Sequence, residues 1–247
     1  MEKIISLQDV SIAFHDGPPV LQNLNLSLNA GESVSILGLG GCGKSTLLKL
    51  IVGIIKNTTG KIEICGQDVS KLNENEQDTL RKKIGIAFQQ GALFDFMTVR
   101  ENILFAMENM TNFSVEEQEK RVKSFLAQVN LSDVEDKIPS ELSGGMRRRV
   151  GIVRAMVTNP ELALLDEPTA GLDPVTTSIV IDMIHNIGKK INATMVCVTS
   201  SVEVAFRFAQ KVAILKDGKI IGLGTRDELL NLGDAWITHF LTLRALP

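Results

Sequence analysis

The stretch Ser35-Ile-Leu-Gly-Leu-Gly-Gly-Cys-Gly-Lys-Ser-Thr46 constrains this chain more than any other. Gly38 to Ser45 fits G-x-x-x-x-G-K-[ST], a loop that cradles the phosphates of a nucleoside triphosphate. An apolar strand, Val34 to Leu37, should enter the loop, and a helix from Lys44 through Leu47, Leu48, Leu50 and Ile51 should leave it. Glycines let successive backbone N–H groups turn inward onto phosphate oxygens, and the helix N-terminus adds partial positive charge. Lys44 would reach the terminal phosphates, and the Ser45 hydroxyl would ligate Mg²⁺. Gly38-Leu-Gly-Gly-Cys-Gly43 also spells G-x-G-x-x-G, with Glu63 about 20 residues on, as a dinucleotide fold would want. Lys44 and Ser45 decide against that fold, which has no use for a lysine and a metal-binding hydroxyl there. A plain glycine turn before a helix would explain neither residue.

The 247 residues suffice for one large α/β domain, or for a core with a subdomain. Hydrophobic residues make up 44%, so a sizeable core is available. A net charge of −3 argues against broad nucleic-acid binding, without excluding a local basic patch. Cys42, Cys65 and Cys197 are scattered and odd in number, so they form no metal box and suggest a reduced compartment. Cys42 lies inside the phosphate loop, where it is either oxidisable or, more simply, a small residue that fits. The N-terminus lacks the apolar region of a secretion signal, and no run reaches the roughly 18 apolar residues of a membrane span. A soluble or peripheral protein is expected.

Residues 4–30 read as three strands, Ile4–Leu7, Val10–Phe14 and Leu24–Leu28, with a turn signal at Asp16-Gly-Pro-Pro19 after His15. Further strands are expected at Gly60–Cys65, Ile84–Phe88, Leu162–Asp166, Ala193–Thr199 and Val212–Leu215, with a hairpin turn at Asp217-Gly218. Thr98…Glu101 and Ser114…Glu117 look like capping boxes opening helices, the second running to about Val129. Short helices are expected over Asp227–Leu232 and Ala235–Leu243. The loop after Gln89 carries Leu93, Phe94, Phe96 and Met97, which either face a partner or pack under a neighbouring helix. The organisation expected is an α/β core with a β subdomain over 1–95 and 159–232, a helical subdomain inserted over about 96–158, and a tail over 233–247.

Two further features bear on chemistry. An apolar strand ends in Asp166-Glu167; Asp166 at the tip suits a Mg²⁺ role, and Glu167 suits a general base for an attacking water. Leu142-Ser-Gly-Gly-Met146 is a second glycine turn at a helix start, and so a second anion site. One nucleotide does not need two such sites from one chain, whereas a homodimer with nucleotide between the copies does. Arg147, Arg148 and Arg149 follow, and read as a solvated helix face or as a phosphate contact.

The order of phosphate loop, Gln89, Leu142-Ser-Gly-Gly, Leu164-Leu-Asp-Glu-Pro168 and Ala170-Gly-Leu-Asp173 resembles the ATP-binding cassette of ABC transporters over nearly the whole chain. The resemblance implies a P-loop NTPase core of α/β class, an antiparallel β subdomain and an inserted helical subdomain. It implies ATP and Mg²⁺ as ligands, with Gly38, Leu39, Gly40, Gly41, Cys42, Gly43, Lys44, Ser45 and Thr46 around the phosphates and Phe14 stacked on adenine. Gln89 would join Ser45 and Asp166 at the metal and sense a membrane permease through residues 91–98. Ser143, Gly144 and Gly145 would bind the γ-phosphate across the dimer, and Asp173 would communicate with the opposite site. A closer similarity, to the ATPases of MCE-type (Mla-like) phospholipid transporters, rests on Phe88-Gln-Gln-Gly-Ala-Leu-Phe-Asp95, on Met146, and on the tail from Gly224 through Trp236. The location implied is the inner face of the cell membrane, with a permease and a small regulatory subunit as partners.

Two positions depart from the cassette pattern. Gly40 stands where serine is usual, and its backbone can still cradle phosphate. Ser200 stands where a switch histidine belongs, and none of His15, His185 or His239 fits that slot. Serine is shorter and carries no positive charge, and a positioned acid–base group typically contributes about 10²- to 10⁴-fold. ATP binding is therefore promised more firmly than fast hydrolysis.

Overall fold

A computed structural model describes residues 2–14 and 17–243. His15 and Asp16, in the turn expected there, lie outside the described residues, as do the last four of the tail. Strands β1 (Lys3–Ile12), β2 (Leu21–Asn29) and β3 (Ser33–Leu37) precede helix α1 (Lys44–Ile51). Next come β4 (Thr59–Ile64), β5 (Gln67–Asp68), α2 (Glu74–Arg81) and β6 (Ile84–Ala87). Helices α3 (Val99–Met110), α4 (Val115–Gln128) and α5 (Gly144–Met156) lead to β7 (Leu162–Asp166), α6 (Pro174–Ile191) and β8 (Thr194–Thr199). The chain continues through α7 (Val202–Phe208), β9 (Lys211–Lys216), β10 (Lys219–Gly224), α8 (Arg226–Leu230) and α9 (Ala235–Leu243). The expected α/β class holds, with one antiparallel sheet and a mixed one.

Two compact units form, Met1–Arg81 with Thr194–Pro247, and Lys82–Ala193. In the first unit, β2, β1, β4 and β5 make an antiparallel sheet. The reading of Ile4–Leu7 and Val10–Phe14 as two strands is corrected: β1 is one strand interrupted by register shifts, with Asp9 at φ 51°. The bulge changes which residues face the core, so alternation appears to stop and restart. Asn25 fixes the bulge, accepting from the Asp9 amide and donating to its carboxylate.

The same unit places β3 between two parallel neighbours, pairing Leu37 with Thr199 of β8 and with Ile214 of β9. Val34, Ile36 and Leu37 of β3 and every residue of β8 are buried, as strands covered on both faces must be apolar. Helix α9 closes the core from below, seating Ile237, Phe240 and Leu241 with Leu37 and Ile214. Burying such side chains contributes about 1.5–3 kcal/mol each. The hairpin turn between β9 and β10 has Asp217 at φ 46° and Gly218 at φ 76°, as two-residue turns of this twist require.

The second unit holds the parallel pair β6 and β7, with helices α3 to α6. Thr98 forms a complete capping box with Glu101 at the start of α3. At α4 only half of the expected box is made, the Ser114 hydroxyl accepting from the Glu117 amide.

Candidate functional site: phosphate loop, acids and glycine turns

Strand β3 delivers the chain to Gly38, whose amide donates to the Thr199 carbonyl 3.2 Å away. Residues 39–42 turn over, and α1 starts behind Gly43 at φ 107°, ψ 6°. Only glycine suits this cap, since a Cβ would sit at a left-handed φ and 2.7 Å from the Leu21 Cδ2. No side chain caps α1 and no acid lies in its first turn, which leaves the positive end of the helix available to an anion. A Cβ built on Gly40 or Gly41 would meet nothing within 4 Å, so the concave side of the loop is open. Lys44 is only 8% exposed, and its Nζ donates to the carbonyls of Gly38 (2.9 Å) and Leu39 (3.0 Å). The ammonium is thus held on the loop, over the region phosphate oxygens would enter. These features fit a polyphosphate.

The loop is braced from the distant end of the chain. The Gly218 amide donates to the Cys42 carbonyl (3.2 Å), and the Gln22 amide donates to the Gly218 carbonyl (2.8 Å). Cys42 is buried, and burial pushes its thiol pKa up, which favours the small-residue reading over a reactive thiolate. A pocket beside the loop is lined by Leu39 to Cys42, Leu215 to Asp217 and Trp236. Ser200 lies between β8 and α7, directly after Thr199. Phe14 follows the end of β1 and is 47% exposed, so its ring is accessible.

In the second unit, β7 carries Asp166 at its tip. Glu167 follows at φ 45°, a conformation costly for a non-glycine residue and commonly retained where function requires it. Among the described residues no three acids, histidines or cysteines converge as a metal cage. Mg²⁺ typically takes one or two protein oxygens together with substrate phosphates, and the Asp166 carboxylate is a donor of that kind. Asp173 caps α6, accepting from the amides of Val175 and Thr176 (3.0 Å each) and from the Thr176 hydroxyl. The Thr176 bonds hold its carboxyl below the usual range. Ser143 caps α5, its hydroxyl accepting from the Met146 amide (3.2 Å), with Gly144 and Gly145 in an acid-free first turn.

Gln89 follows β6 with an exposed side chain, while its carbonyl accepts from Arg148 Nε (3.0 Å). In the loop beyond, Phe96 is 80% exposed. The Phe94 ring packs against Phe96 at 5.8 Å and against Phe105 at 5.1 Å. A groove follows, lined by Phe96, Met97, Glu101, Leu104, Phe105 and Glu108. Sequence reasoning missed what shapes this loop. Asn102 is fully buried; its Oδ1 accepts from the Phe94 amide (2.8 Å), and its Nδ2 faces the carbonyls of Phe94, Met97 and Thr98. The available signal was an asparagine inside the apolar stripe of Val99, Ile103 and Ala106. The expectation of a solvated face at Arg147–Arg149 is corrected: all three are half-buried and donate to backbone carbonyls.

Residues 21–170 match the ABC transporter family. The chain is 39% identical over 204 residues to the methionine import ATP-binding protein MetN of Geobacillus kaustophilus, covering 83% of this chain and 59% of that protein. It is 33% identical to the choline transport ATP-binding protein OpuBA of Bacillus subtilis, covering 96% of this chain and 62% of that one. The chain thus spans about three-fifths of the length of these curated relatives. Among solved structures, the dimeric ATP-binding cassette MJ0796 bound to ADP and Pi superimposes with a TM-score of 0.81 at 33% identity, covering 90% of this chain and 98% of that one. The cbiO1 subunit from Clostridium perfringens superimposes at 0.84 with 29% identity, covering 98% and 96%. With the glycine-capped phosphate loop, the Ser143 turn and the acids after β7 in cassette order, the chain belongs to the ABC transporter family.

Proposed function

We propose that this chain is the ATP-binding and ATP-hydrolysing subunit of a membrane transporter. The observation that carries the reading is the open, uncapped start of α1 with Lys44 held over it. Lys44 and the loop amides 38–46 bind the phosphates, and Phe14 stacks on the base. Ser45, Gln89 and Asp166 would hold Mg²⁺, which when bound neutralises charge on the phosphates. Glu167 orients the attacking water and accepts its proton at the carboxylate. Ser143, Gly144 and Gly145 of a second copy contact the terminal phosphate, and Asp173 faces the opposite site. The dimeric state of the cassette MJ0796 supports this arrangement. Ser200 in the switch position makes turnover slow; at the extreme, the protein is a nucleotide-gated dimerising switch.

The groove around Phe96 docks the permease, and a small regulatory subunit is a further partner. No helix among the described residues is long and apolar enough to cross a membrane; the position on the inner face follows from the reading as a permease-docked cassette. The relatives named for methionine import and choline transport favour import of a small substrate. A second reading, phospholipid transport of MCE type, rests on Phe88-Gln-Gln-Gly-Ala-Leu-Phe-Asp95, Met146 and the Trp236 tail. Isothermal titration with ATP·Mg²⁺ tests the core claim: Lys44→Ala should abolish binding, and unchanged affinity would refute the loop assignment. Copurification of the permease from membranes, followed by identification of bound methionine, choline or phospholipid, separates the two transport readings.

A further inference from the structure

Helix α5 carries Arg148, Gly151 and Arg154 at three-residue spacing, which places them in one stripe along the helix. The stripe meets the loop after β6. A Cβ on Gly151 would fall 2.7 Å from the Gly91 Cα, so here the helix and the loop touch backbone to backbone. Gly91 has φ 80°, and a Cβ there would lie 2.7 Å from the Arg147 carbonyl oxygen. On either side of this contact an arginine reaches a loop carbonyl, Arg148 Nε to Gln89 (3.0 Å) and Arg154 to Gly91 (3.2 Å). The Arg154 guanidinium also lies over the Phe94 ring, 5.9 Å from its centroid.

No carboxylate among the described residues pairs with Arg148 or Arg154. Burial lowers the pKa of both, with no acid offsetting it. A half-buried guanidinium satisfied only by carbonyls and a ring face is costly to keep for stability alone, since an apolar side chain would pack there at lower cost. On its far side the same loop is tied to α3 by the buried amide of Asn102. The loop is therefore gripped from both helices, while Phe94 and Phe96 remain at the surface.

We propose that Arg148 and Arg154 are positioning residues that latch the loop 89–97 to α5, so that the helix begun at Ser143 and the exposed aromatic surface move as one body. Displacement of the Ser143 end is then delivered to Phe94 and Phe96 without loss in a flexible connection. The functional side of this claim rests on the reading of Ser143 as a nucleotide contact and of Phe96 as a permease contact.

Amide hydrogen exchange on the full chain tests the latch, using Arg148→Gln, Arg154→Lys and both together. Arg154→Lys keeps the charge but loses the planar fork. Without nucleotide, residues 89–97 should exchange about tenfold faster or more in each variant. Exchange in residues 150–156 of α5 should stay unchanged, which a merely structural role would not allow. Arg148→Gln, at the less enclosed position, keeps the test valid if the Arg154 variant folds poorly. In a Glu167→Gln background, ATP·Mg²⁺ should slow exchange at both 38–46 and 89–97. The arginine variants should lose only the second effect. Equal loop exchange in parent and variants, or a nucleotide effect at 89–97 that survives both substitutions, overturns the latch. Absence of any effect at 38–46 in the parent overturns the ATP reading instead, and the nucleotide-free comparison then decides the latch.

Discussion

Asn102→Asp and Asn102→Ala give the sharpest test of how the aromatic loop is built. The Asn102 side chain is fully buried, accepts from the Phe94 amide at 2.8 Å, and donates toward Phe94, Met97 and Thr98 carbonyls at 3.0–3.1 Å. Its NH₂ has two hydrogens, so it supplies two full bonds shared over three acceptors, making three with the accepted one. The Thr98 carbonyl keeps its helical bond from the Asn102 amide in any variant. At about 1 kcal/mol each, Asn102→Ala should cost about 3 kcal/mol. For a chain of 247 residues that is a fall in melting temperature of roughly 6–12 °C. Asn102→Asp should cost more at neutral pH, because a carboxylate would face three carbonyl oxygens with no proton to donate. Acidification should recover part of the loss, since the protonated acid regains one donor. Thermal unfolding followed by circular dichroism at pH 7 and pH 5, with limited proteolysis across residues 90–98, reads both effects. An Asn102→Asp protein as stable as the parent at pH 7 would refute the assignment of the amide as the organiser of the loop.

Glu167→Gln should trap a nucleotide-bound dimer; a variant that stays monomeric by light scattering, with saturating ATP and permease supplied, contradicts the two-copy arrangement. Ser200→His should raise ATP turnover or leave it unchanged, and a sharp fall in steady-state phosphate release would give Ser200 a catalytic task of its own. The Asp173 carboxyl is held below its usual pKa in the folded chain by Thr176, so its stabilising contribution is full above the unfolded value near pH 4. That contribution should fade as pH drops further through the folded value, and acid unfolding of Asp173→Asn should lack this component.

The phosphate loop was legible because its chemistry demands particular residues at fixed local spacing. Capping residues were legible for the same reason, and Thr98 and Asp217-Gly218 behave as their sequence asks. Helix α2 left little trace, since it buries only Leu80 and shows no apolar stripe. The bulge at Asp9 hid the continuity of β1, because one left-handed residue shifts the alternation on which strand reading relies. Helix α6 carries a buried stripe at helical spacing, Thr177, Val180, Ile181, Ile184 and Ile187, that its sequence displays openly. The roles of Arg148 and Arg154 were illegible in principle, because each acts on backbone groups whose positions depend on tertiary packing, whereas Asn102 announced itself only as an asparagine inside an apolar stripe. Identical side chains on a solvent face would give the same sequence.

The seating of β3 between β8 and β9, with Gly218 bonded to the Cys42 carbonyl, has a consequence for synthesis. Residues 33–46 are synthesised well before β8 and β9, the strands that pair with β3, and before Gly218, which bonds the Cys42 carbonyl. A nascent chain carries the glycine-lysine segment without these partners until residue 218 is made. Fragments ending before the β9–β10 turn should consequently hold the phosphate loop less firmly and bind ATP more weakly than the full chain.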